Sequence, residues 1–135
     1  METTAISVQN ALGEEFIAVH HEEAYRGIYA CWRGEVTVED VKQGAEKVLE
    51  QVKEHACINL LNDNRDLTGS WDAANEWIEK DWMPRVVAAG LQKFAHMVSA
   101  DIFAALSVEE MATRVSGFEM RIFKDEQEAR AWLQS

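Results

Sequence analysis

One segment constrains the fold more than any other: an amphipathic helix pattern that leads into a short apolar run. Thr37-Val-Glu-Asp40 reads as a capping box, with Thr37 as N-cap and Asp40 reaching back to it. Val38, Val41, Ala45, Val48, Leu49 and Val52 then recur at helical spacing, with Lys, Glu and Gln on the other face, up to about His55. Cys57-Ile-Asn-Leu-Leu61 follows and has the composition of a buried central strand. A helix feeding such a strand is half of a parallel crossover, which brings with it the rule that crossovers share one hand.

The rest of the chain extends this pattern on both sides. Before it, residues 4–10, 16–22 and 25–33 read as three strands linked by hairpins, with Ile28, Ala30 and Trp32 alternating against Tyr29, Cys31 and Arg33. After it, residues 62–69 form the most polar stretch and read as a loop. A helix starts at 70–72 and carries the stripe Trp71, Ala74, Ile78 and Trp82, and Pro84 breaks or restarts it. Residues 94–99 predict a further strand. Ser107-Val-Glu-Glu110 predicts a capping box opening a helix that Gly117 ends, residues 118–123 predict the last strand, and Asp125 caps a final helix with Ala129, Trp132 and Leu133 inward. The order β-β-β-α-β-α-β-α-β-α predicts an α/β fold with an α+β-like start. Its sheet is mixed and mostly parallel, with about five to six strands and about four helices, all in a single domain over 1–135. In such sheets ligands and switches sit at the carboxyl ends of the parallel strands, and the 62–70 stretch occupies one.

Charge and composition narrow the function classes. With 13 basic and 24 acidic residues the net charge is −11, spread over helix faces, which argues against a nucleic-acid or anionic-membrane surface. No apolar run approaches the length needed to cross a bilayer, and the first residues lack the basic and apolar regions of a secretory signal, so a cytoplasmic protein is expected. Cys31 and Cys57 form no C-x-x-C pair and read as reduced, buried thiols.

The segment Trp32-Arg-Gly-Glu-Val-Thr-Val-Glu-Asp-Val41, an Asp-x-x-Gly turn at Asp66–Gly69, Trp82-Met83-Pro84, Gly90-Leu91, and the terminal Phe123 to Leu133 pattern together resemble the STAS-related proteins. That group includes the bacterial anti-sigma-factor antagonists, and the chain is similar to the small free-standing SpoIIAA-like proteins of STAS type. In the antagonists an Asp-Ser-Ser-Gly turn carries a phosphorylated serine just before the glycine. The resemblance implies Thr68 as phospho-acceptor, with Asp66 its neighbour and Leu67 in place of the other serine. Asp63, Asp66 and Gly69 then belong to a switch loop, and Ser70 is a second acceptor candidate. A phosphate there would meet the positive end of the following helix and add nearly two negative charges, whereas Thr and Ser at a helix start also serve as plain caps.

Other constellations are weaker. Asn62 to Asp66 opens like a calcium loop, but Leu67 and Ala73 stand where Gly and Glu are required. In a strand only His20 with Glu22, or His21 with Glu23, could share an ion. His55 and His96 cannot be placed beside them from sequence, so no metal or other cofactor is expected. No nucleophile elbow or phosphate loop is present, and Ser99 near Asp101 has no placed His, so no catalytic residue is assigned and the chain is not expected to be an enzyme. The function expected is a regulatory or protein-interaction module that binds a protein partner or a second copy of itself through the Trp-bearing helix and the 62–70 stretch. The alternative is a carrier of an apolar small molecule or lipid, because the STAS-like architecture resembles that of CRAL-TRIO domains. Trp71, Trp77, Trp82, Phe94, Met97 and Phe103 are the residues expected to line its pocket or the interaction surface.

Overall fold

A computed structural model describes residues 5–135. One sheet carries six strands in chain order: β1 (Ile6–Gln9), β2 (Glu15–Glu22), β3 (Gly27–Glu35), β4 (Asn59–Thr68), β5 (Lys93–Met97) and β6 (Glu119–Phe123). The first three pair antiparallel, and β3 through β6 pair parallel. Four helical stretches join and cover the sheet: α1 (Val38–His55), α2 (72–88), α3 (Ile102–Ala112) and α4 (Glu126–Gln134). The α/β class, the mixed sheet and the order of elements are those expected. The expected first residue of β1, Thr4, lies outside the described residues.

Three crossovers step in one direction across the sheet, and a single crossover hand then puts α1, α2 and α3 on the same face. There Val41, Val48 and Val52 of α1, Ile78, Trp82 and Val86 of α2, and Val108 and Met111 of α3 pack on Ile17, Ile28, Leu60 and Phe94 of the sheet. Among the described residues α4, which follows the last strand and folds back, is the α-helix that covers the opposite face. Its Ala129 and Leu133 pack there with Tyr25, Leu61, Ala95 and Met97. Thr37 and Asp40 form the full capping box at the start of α1, Thr37 Oγ1 accepting from Asp40 N–H and Asp40 Oδ2 from Thr37 N–H, each at 3.0 Å.

Three local expectations are corrected. The stretch 62–68 is strand: β4 runs to Thr68 and stays hydrogen-bonded to β3 through a β-bulge. Between Cys31↔Asp63 and Arg33↔Asp66, β4 spends one residue more than β3. Asp63 Oδ1 accepts from the Arg65 N–H at 3.1 Å, so the Asx-type bond that signals a turn closes the bulge. The extra residue inverts the alternation. Asn62 and Asn64 face the α1–α3 side, and past the bulge it is Leu67 that turns into the core while Asp66 is exposed.

Secondly, α3 begins at Ile102, capped by Asp101, whose Oδ1 accepts from Phe103 N–H (2.9 Å) and Ala104 N–H (3.1 Å). Ser107 is not a cap. It is buried in mid-helix, with its hydroxyl donating to the Phe103 carbonyl at 3.2 Å. The helix α2 restarts at Pro84 as the sequence predicts, and it is irregular before it: 3-10 at Asp72–Ala74, α at Asn75–Trp77, π at Ile78–Trp82 and α again at Met83–Ala88. Pro84 sits in the first turn of the last piece, and the wide π turn before it absorbs the missing N–H bond. Thirdly, β3 starts at Gly27 and not at Tyr25, because a 3-10 turn occupies Glu23–Tyr25.

Candidate functional site

The carboxyl half of β4 organises both faces of the sheet. On the helix-covered face, Trp32 Nε1–H donates to Asn62 Oδ1 at 2.7 Å. The Asn62 amide donates to Asn64 Oδ1 at 2.9 Å and stands 3.4 Å from His96 Nδ1. Nδ1 therefore accepts, and in the neutral ring the proton sits on Nε2. His96 is fully buried with its ring stacked on Phe94, and burial holds its pKa down from 6.5 to about 3, so it stays uncharged.

These residues line a cavity of about 50 Å³ under α1 and α2, together with Leu67, Trp71, Trp82 and Met111. Two N–H groups from its lining, Trp71 Nε1 and His96 Nε2, are buried with no hydrogen-bond partner among the described residues. Leaving a buried donor unpaired costs about 1–3 kcal/mol, so two from one cavity are a substantial charge against stability. Of the residues expected to gather in a pocket, the structure brings together Trp71, Trp82 and Phe94. Met97 follows His96 on β5 and therefore faces the opposite side, beside α4. Trp77 is half-buried at the edge, with Lys42 Nζ 5.8 Å from its ring centroid, and Phe103 is exposed on α3. Asn62, Asn64 and His96 were missed, although the even-numbered alternation 60, 62, 64 and 94, 96 puts them on the face of Leu60 and Phe94.

The surface beside the cavity is the turn that follows β4. Gly69 has φ +75°, and a Cβ there would lie 3.2 Å from Glu35 Cγ, so glycine fits on both counts. Thr68 and Ser70 are exposed. Ser70 Oγ accepts from Asp72 N–H at 3.3 Å and lies 3.4 Å from Ser107 Oγ, which in turn accepts from Trp71 N–H at 3.0 Å. Ser99 Oγ donates to the Leu67 carbonyl at 2.6 Å. The turn is thus tied to the start of α3, where Ile102, Phe103 and Leu106 are 66%, 61% and 49% exposed. By contrast the Trp-bearing helix buries Trp71 and Trp82, so it is α3 that presents apolar surface.

On the other face Asp63 is buried, accepting from Tyr29 Oη–H at 2.5 Å and from Arg65 through two bonds of 3.0 and 2.7 Å. Burial raises the carboxyl's pKa, but the bonds from Arg65 and Tyr29 outweigh it and hold it below the usual value. Burial and Asp63 together push the Tyr29 phenol up. The chain of contacts continues from Arg65 to Glu126 (2.8 Å), Arg130 (2.8 Å) and Glu22 (3.4 Å), then to His20 (3.1 Å), and so fastens α4 to the sheet. His20 and Glu22 do share a face. His21, on the other, stacks on His55 at 4.2 Å between ring centroids, a proximity the sequence did not reveal. Among the described residues no three His, Cys, Asp or Glu side chains are grouped to hold a metal ion. Cys57 is buried with its thiol pushed up to about 11, and Cys31 is half-buried and raised by burial and by Asp63, so neither is poised as a thiolate.

A family model described as SpoIIAA-like matches residues 28–134, and the chain belongs to that family. Among solved structures it is similar to an uncharacterised DUF3478-family protein with a SpoIIAA-like fold from Shewanella loihica PV-4, determined at 2.25 Å. The two share 18% identity over 98% of this chain and 92% of that one, with a TM-score of 0.51, which shows the fold. No curated protein matches the chain. Family and fold support a regulatory or interaction module in general. Among the described residues no helix is long and apolar enough to cross a membrane.

Proposed function

We propose that the chain is a non-catalytic interaction module that presents the first turns of α3, together with the Thr68–Ser70 turn, to a protein partner. The observation that carries this is the exposure of Ile102, Phe103 and Leu106 on one helix end, at the carboxyl edge of the parallel strands. Asp66 and Asp72 flank the turn in sequence and Glu109 lies one turn beyond Leu106 on α3, all exposed, so this acidic setting suits a partner that offers apolar side chains among basic ones. Phosphate on Thr68 or Ser70 would add nearly two negative charges at the rim of this patch, strengthening a basic contact or repelling an acidic one. A lipid cargo is not favoured, because a cavity of about 50 Å³ is about a third of the ~150 Å³ that holds a single benzene.

The test compares the native chain with the double variant Ile102→Ser, Phe103→Ser. Both side chains are largely exposed, so folding stability should stay within about 0.5 kcal/mol. A partner captured by the native chain should be lost by the variant. If light scattering shows a dimer that the variant abolishes, the partner is a second copy. Undiminished binding by a folded variant would refute the assignment of this surface.

A further inference from the structure

The cavity under α2 combines an apolar wall with buried polar groups that lack partners among the described residues. Its apolar wall includes Leu60, Leu67, Trp82 and Met111, and all are buried. Set into that wall are the two donors without partners, Trp71 Nε1–H and His96 Nε2–H, and His96 is only 1% exposed. A protein does not ordinarily retain two such donors at one cavity when a Phe at either position would fill space without the penalty. The arrangement is also actively maintained: Asn62 holds the Nδ1 side of His96, which directs the remaining proton away from the Asn ladder. The roof is the π turn Ile78–Trp82, which brings Ile78 and Trp82 to the same space, and π turns recur at functional sites.

We infer that this cavity binds a small neutral molecule with an acceptor-only polar end, a short-chain carbonyl compound, whose oxygen receives the Trp71 and His96 N–H groups. An anion is disfavoured, because the lining holds no Lys or Arg and its histidine is uncharged. A single water could accept from the same two donors, and the acetone soak distinguishes the two occupants. The size admits a ligand of about two to four heavy atoms, with the flexible Met111 adjusting to the larger ones.

The experiment is a titration of the full chain with acetone and with acetonitrile, followed by the Trp71 indole N–H resonance in a proton–nitrogen correlation spectrum. Pressurised xenon serves as a probe with no acceptor. Saturable movement of the Trp71 signal is expected with both organic probes. His96→Phe should weaken acetone binding about tenfold, the loss of one hydrogen bond, and leave xenon binding in place. Should His96→Phe fail to fold, Trp71→Phe makes the same comparison, read from the His96 ring nitrogen. The inference is overturned if the Trp71 signal does not saturate, if the Phe variants bind acetone as tightly as the native chain, or if a high-resolution structure from acetone-soaked crystals shows only water in the cavity.

Discussion

Gly44 is the position where two opposed effects can be separated by magnitude. It lies in the interior of α1, where replacing Gly by Ala ordinarily stabilises a helix by about 1 kcal/mol. Here a Cβ would stand 2.5 Å from Trp32 Cη2, 2.8 Å from Trp32 Cζ3 and 3.3 Å from Ile17 Cδ1. The indole would have to retreat by about 1 Å to restore ordinary contact. It is not free to do so, because Trp32 is buried, bonded through Nε1 to Asn62 and packed against Phe16. Overpacking of this kind costs about 1–3 kcal/mol. Gly44→Ala should therefore destabilise by about 1 kcal/mol net, a loss of about 3–5 °C in melting temperature for a chain of this length. In a Trp32→Phe background the far ring is gone and only the helix gain remains, so the same substitution should stabilise by up to about 1 kcal/mol. Urea unfolding of the four proteins of the cycle reads both signs. If Gly44→Ala stabilises the native chain, or acts with the same sign in both backgrounds, the fit of Trp32 against α1 is not as described.

Further outcomes follow from the buried polar groups. His96 has its folded pKa lowered to about 3 against 6.5 unfolded, so the unfolded chain takes up a proton first as pH falls. Its contribution to stability is complete above about pH 6.5 and is lost towards pH 3, at up to about 1.4 kcal/mol per pH unit, and a urea midpoint series should show this slope flattened in His96→Phe. Asp63 also has a lowered pKa, so its contribution is present above the usual carboxylate value near 3.8 and disappears as pH falls below it. Asp63→Asn should cost about 1–3 kcal/mol by weakening the bonds to Arg65 and Tyr29, and amide exchange in α4 should accelerate, since Arg65 links Asp63 to Glu126. Gly69→Ala should destabilise by about 1 kcal/mol or more through its φ of +75°, measurable as a shift in chemical denaturation.

What the sequence revealed and what it concealed divide along one physical line. Signals whose cause is local were legible: the α1 capping box, the helical period of Val41 to Val52, and the alternation of Ile28, Ala30 and Trp32 each correspond to the structure. The stretch 62–68 reads as a loop because Asx residues bond their own backbone in turns and bulges alike, and the partner strand decides which forms. Ser107-Val-Glu-Glu110 has the composition of a cap, yet Asp101 six residues earlier takes that role and leaves Ser107 to receive the Trp71 N–H from another element. The pairing of His21 with His55 and the gathering of Asn62 with His96 are tertiary facts with no local signature.

The bulge in β4 explains why the switch loop implied by resemblance and the cavity belong to the same few residues. Without the extra residue the strand would keep strict alternation, and Asp66 would face the core while Leu67 pointed away. With it, Leu67 enters the cavity wall, Asp66 reaches solvent, and Thr68, Gly69 and Ser70 emerge at the surface beside α3. Leu67, which stands where the resemblance to the antagonists would put a serine, is therefore a packing residue that ties the exposed turn to the space beneath it. Its carbonyl takes the Ser99 hydroxyl while its side chain faces the cavity. Any change in what fills that space bears on Leu67 and Trp71, the two residues that bracket the exposed hydroxyls.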